Sequence, residues 1–89
     1  MPNTDVCAGG TVGANSTTIT FTNHHPSSCT VTGLGNLVDC GNSFDVPARS
    51  GSTPGTKTCN VLPSAASGTY PYSASCCGPE EGNPVIIYQ

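Results

Sequence analysis

The sequence predicts an all-β chain, a small sandwich of about six or seven strands stapled by disulfides. Three observations carry that expectation. Apolar residues alternate with polar ones over 17–22, 29–32 and 69–74, the period of two of a strand with one face on a core. Charged residues are 8% of the chain, whereas Ser and Thr together are 22 of 89 and Gly and Pro 19 of 89, which leaves little material for surface helices laced with Glu and Lys. Six cysteines, an even number, suit a chain too short to stabilise itself by burial alone. Residues 1–89 are expected to form a single domain, since two would leave neither half a core.

Taken in order, residues 1–15 read as an N-terminal arm or an edge strand. Thr17 to Thr22 alternates Thr with Ile19 and Phe21, and is the clearest strand in the sequence. Cys29 to Thr32 alternates again until Gly33 and Gly35 interrupt it, and Phe44 with Val46 makes a short strand that Pro47 ends. Residues 48–56 are turn chemistry, with Pro54-Gly55 the strongest signal for a tight reversal, and Lys57 to Leu62 should re-enter a strand. Pro63 to Gly68 is a further loop. Thr69 to Ser75 would place Tyr70, Tyr72 and Ala74 on one face, and Val85 to Gln89 closes the chain as a β-branched strand. The expected core is Ile19, Phe21, Val31, Tyr70, Tyr72, Ala74 and Ile87.

Cysteines 7, 29, 40, 59, 76 and 77 lack the paired Cys-x-x-Cys knuckles of a zinc finger, so disulfides are the expected use, in an oxidising extracellular or periplasmic compartment. Their spacing leaves the connectivity open. Residues 1–15 hold no apolar signal core, and Met1 before Pro2 and Asn3 reads as an initiator on a mature secreted chain. Two basic residues against five acidic ones, with a formal charge of -3, argue against nucleic acid and anionic lipid as partners. The longest apolar run, Val85-Ile86-Ile87-Tyr88, falls far short of the roughly 20 residues of a membrane span.

The order of elements resembles the cupredoxin family, the Greek-key sandwich of small blue copper proteins, from about Thr17 to Tyr88. Ile19-Thr20-Phe21-Thr22-Asn23 is similar to that family's apolar strand ending in Asn, which precedes the first copper histidine by six residues; that position here is Cys29. Gly68-Thr69-Tyr70-Pro71-Tyr72-Ser73-Ala74 is similar to its Gly-x-Tyr-x-aromatic-x-Cys segment, with Ala74 at the copper thiolate position. The second histidine position falls on Cys77, the axial methionine on Gly82, and the last strand follows at Val85 without a gap. The resemblance therefore implies a cupredoxin-like or immunoglobulin-like sandwich with all four ligands lost, no copper cofactor and no electron transfer. It also implies a Cys29–Cys77 disulfide in the place of the metal. Nearness in the chain then pairs Cys40 with Cys59, and elimination pairs Cys7 with Cys76. Pro71 would interrupt an interior strand, so a bulge or local edge is expected there.

Other chemistry is sparse. His24-His25 on a loop could supply metal ligands if Asp39, Asp45, Glu80 or Glu81 converged on it, but none stands at a diagnostic spacing, and a solvated loop is the stronger reading. Adjacent Cys76-Cys77 invites a vicinal redox disulfide, yet neighbouring side chains in extended chain point to opposite faces and pair elsewhere. There is no Gly-x-Ser-x-Gly elbow, and Glu80-Glu81 diverge as neighbours must, which argues against hydrolase and glycosidase chemistry. Asn15-Ser16-Thr17 is a formal glycosylation acceptor. The function expected is a secreted, non-enzymatic structural or binding module, whose partner is an extracellular protein or a second copy of itself. Thr18, Thr20, Thr22, Thr30 and Thr32 leave its strands unguarded by charge. The rival is a small metal-binding or redox protein using His24, His25 and the cysteines.

Overall fold

A computed structural model describes residues 3–13, 15–77 and 84–89. Nine strands, and no helix, run through the described residues: β1 (Asn3–Asp5), β2 (Gly10–Val12), β3 (Thr18–Asn23), β4 (Cys29–Thr32), β5 (Ser43–Val46), β6 (Gly55–Asn60), β7 (Gly68–Pro71), β8 (Ser73–Ala74) and β9 (Val85–Tyr88). They form three three-stranded sheets, ordered β1-β3-β6, β2-β9-β7 and β5-β4-β8.

The strand count exceeds the six or seven expected because the chain changes sheets twice where one strand was anticipated. In the N-terminal arm, β1 runs parallel to β3 and β2 runs parallel to β9. Between them the Asp5 carbonyl accepts the Ala8 and Gly9 amides and reverses the chain. Gly9 adopts φ 70°, and a Cβ there would overlap the Val85 carbonyl, so the position suits only glycine. The second change falls at Tyr72. β7 ends at Pro71 while paired with β9, and β8 begins at Ser73 paired with β4. The proline that lacks an amide donor thus marks a strand end, and Tyr72 donates its own amide to Pro84.

The longest pairing is β3 with β6, antiparallel from Thr18 opposite Asn60 to Asn23 opposite Gly55. Ile19 and Phe21 turn inward and are fully buried, and the Phe21 ring tilts at 57° against Phe44 with 5.1 Å between centroids. Val31, Val46, Ile86 and Val12 from the other strands, and Val6 from the turn after β1, add to the packing. Leu34, Leu37 and Val38 add a contribution that alternation does not reveal, because they lie on a single tight turn in which the Leu34 carbonyl accepts the Leu37 and Val38 amides.

Three expectations need correction. Ile87 is 43% exposed and Ile86 is the buried residue, because Tyr70 pairs with Ile86 across β7 and β9 and fixes the opposite face inward. Tyr70 and Ala74 are only partly buried, since breaking the strand at Tyr72 removes the shared face. The tight reversal before β6 centres on Gly51-Ser52, where Ser50 and Thr53 exchange both amide hydrogen bonds; Gly55 is already in the strand.

Candidate functional site

The side chains with chemistry gather where four segments meet: the end of β3, the loop from His24 to Ser28, the turn after β1, and the residues after β8. Asn23 holds this end together. Its side chain is fully buried, its Nδ2 donates to the carbonyls of Ser27 at 2.8 Å and Pro47 at 3.2 Å, and its Oδ1 accepts the His25 amide at 2.9 Å. The last of these is an Asx turn, in which the side chain closes onto the backbone two residues on. Asp5 does the same in the facing turn, its Oδ1 accepting the Cys7 amide at 2.8 Å.

The two Asx turns present the histidines to different partners. His24 is exposed, with Nε2 3.6 Å from Asp5 Oδ2. His25 is half-buried, with Nε2 3.4 Å from Cys7 Sγ. Arg49 braces the loop from outside, donating its amide to the His25 carbonyl at 2.9 Å and Nη1 to the His24 carbonyl at 3.2 Å.

All six cysteines are bonded, as Cys7–Cys77, Cys29–Cys76 and Cys40–Cys59. The expected Cys29–Cys77 and Cys7–Cys76 pairs are therefore exchanged. Register is the cause. β4 and β8 run antiparallel with Val31 opposite Ala74, and Ser75 donates its amide to the Thr30 carbonyl, so continuing the ladder sets Cys29 opposite Cys76. Cys77 lies on the other side of the chain and meets Cys7. The two bridges remain close: the donor atoms of Cys7, His25 and Cys76 lie within 4.8 Å of one another, as do those of Cys29, Cys76 and Cys77. No protein-family model, curated protein or solved structure matches the chain.

The carboxylates considered as third ligands are engaged elsewhere. Asp39 accepts the amide and the side-chain Nδ2 of Asn60, both at 2.9 Å, and those bonds hold its carboxyl below the ordinary range. Asp45 accepts the Thr30 hydroxyl at 2.8 Å. Glu80, Glu81 and Gly82 lie outside the described residues. Burial, with the Asp5 charge second, pushes the Tyr72 phenol above its ordinary value and keeps it protonated at every physiological pH. Disulfide sulfur has no thiolate to offer a metal, so in the oxidised chain His25 is the one strong donor of its cluster. The convergence of Asp5, Asn23 and Cys7 on the histidine loop was not foreseen. The Asn-x-His and Asp-x-Cys spacings were its visible signals.

Proposed function

We propose that the chain is a secreted, non-enzymatic structural or binding module, a cupredoxin-like sandwich that has lost its copper site, and that it associates with a second copy of itself through the β6 edge. The observation that carries this reading is the outer face of β3 and β6. Thr18, Thr20, Thr56 and Thr58 line it without a charge, Thr20 and Thr58 facing each other at 3.2 Å; Lys57 is the one charged residue of the edge strand, and Asp39 closes the edge at its Asn60 end. The resemblance places Cys29 and Cys77 at two ligand positions, and their sulfurs lie within 4.8 Å of each other although Cys29 is bonded to Cys76 and Cys77 to Cys7. Three disulfides in so short a chain are compatible with an oxidising environment, as an extracellular module requires.

Sedimentation velocity over a concentration series tests the association. The mass should rise above 8.9 kDa with concentration, and Thr56→Lys with Thr58→Lys should hold the chain monomeric. A constant mass of one chain at about millimolar concentration rejects it. A second reading is a small metal-binding protein, in which Cys7, His25 and Cys76, whose donor atoms lie within 4.8 Å of one another, serve as ligands once their bridges are reduced. Zinc titration of the reduced protein separates the two, because micromolar binding lost in His25→Gln would belong only to a metal protein.

A further inference from the structure

The geometry points to Cys7–Cys77 as a reactive disulfide that exchanges with dithiols, with His25 as the group that stabilises the departing Cys7 thiolate. This does not rest on the module reading, since a binding or structural domain can carry a reactive bridge. Exchange is faster when the leaving sulfur is a better thiolate, and an imidazole beside a cysteine lowers its pKa. Of the three bridges, Cys7–Cys77 is the one whose sulfur pairs with an imidazole, His25 Nε2 standing 3.4 Å from Cys7 Sγ, while Cys76 Sγ of the neighbouring bridge lies within 4.8 Å of a ring nitrogen. The His25 backbone is held from both sides, by Asn23 Oδ1 on its amide and by the Arg49 amide on its carbonyl, which fixes the point from which the ring reaches Cys7. The opposing charge, Asp5, accepts the Cys7 amide with Oδ1 at 2.8 Å and is shared with His24, which stands 3.6 Å from its other oxygen.

Access sets the direction of attack. Cys7 is 4% exposed and Cys77 is the less buried of the two, so the attack is assigned to the Cys77 sulfur. Its attack forms a mixed disulfide on Cys77 and breaks the Cys7–Cys77 bond, and the bonding pair leaves on Cys7 Sγ, which takes a hydrogen bond or proton from His25 Nε2. The second thiolate of the dithiol then closes on its own sulfur and expels Cys77 as thiolate. The dithiol is oxidised by two electrons to a cyclic disulfide, and Cys7 and Cys77 end as thiols. The other bridges lack this arrangement. Cys29 is fully buried and receives the Cys76 amide at 3.4 Å, and Cys76 Sγ lies 3.8 Å from Asn23 Oδ1. Cys40–Cys59 has no imidazole beside it, since the two histidines face Asp5 and Cys7.

The test is time-resolved reduction of the folded protein by dithiothreitol, with acid quenching, alkylation of released thiols and peptide mapping. Cys7 and Cys77 should be labelled before Cys29, Cys76, Cys40 and Cys59, and glutathione used as a monothiol should be trapped on Cys77. His25→Gln should slow that first step about tenfold while leaving the reduction of Cys40–Cys59 unchanged, and His24→Gln should slow neither. Another bridge opening first, a glutathione adduct on Cys7, or equal rates in His25→Gln and the natural chain would each overturn the assignment. The order of opening and the adduct position are read on the natural chain, so they decide even if the variant does not fold.

Discussion

Asn23 is the residue on which the His24–Ser28 loop depends. Replacing it with Ala would strand the Ser27 and Pro47 carbonyls and the His25 amide, and should destabilise the protein by about 3 kcal/mol, measured by urea unfolding. Phe21→Ala empties the centre of the core and should cost about 3 to 5 kcal/mol by the same measurement. Gly55 approaches Pro47 so closely that a Cβ would overlap the proline carbonyl; Gly55→Ala should cost about 1 to 3 kcal/mol although the position lies near the start of a strand and carries no side-chain contact to lose. Asp39 sets a pH dependence. Its carboxyl is depressed in the folded chain by the Asn60 bonds, so its contribution is present above the unfolded value of about 4 and is lost as pH falls through the folded value. Urea unfolding between pH 2 and about 6 should show a shallower acid loss in Asp39→Asn than in the natural chain.

At the scale of elements, β9 separates register from composition. Ile86 and Ile87 are chemically identical neighbours, yet one is fully buried and the other exposed. Ile86→Ala should destabilise by about 2 to 5 kcal/mol and Ile87→Ala by under about 1 kcal/mol, a contrast that thermal or chemical denaturation reads directly. The two strands that were anticipated least well, β1–β2 and β7–β8, share a cause. Each comprises a short run whose halves belong to different sheets, and no local pattern tells a chain where its next partner strand will be. Pro71 was the exception, because a missing amide donor is a local property with a local result.

For the whole molecule, the disulfides close loops of very different length. Cys7–Cys77 spans 70 residues and Cys40–Cys59 spans 19. In the loop-entropy account, replacing the first pair by serine should cost about 4 kcal/mol and the second about 3 kcal/mol, checked by unfolding each double variant. The first also joins the turn after β1 to the residues after β8, tying both places where the chain changes sheets to one end of the molecule. Among the described residues no helix is long and apolar enough to cross a membrane.

What the sequence by itself determined is the all-β class and the bonding of its cysteines, together with the inward face of β3. Those follow from composition and from alternation over Ile19 and Phe21, properties carried by residues adjacent in the chain. The pairing of Cys40 with Cys59 was legible from nearness. Which of Cys76 and Cys77 meets Cys29 was not, since neighbouring residues differ only in the side to which they point, and the β4–β8 register chooses between them. The same choice of side decided Ile86 over Ile87. The meeting of His25 with Cys7 likewise belonged to tertiary structure, because parallel pairing of β1 with β3 brings together segments that approach only after the intervening β2 has left for another sheet.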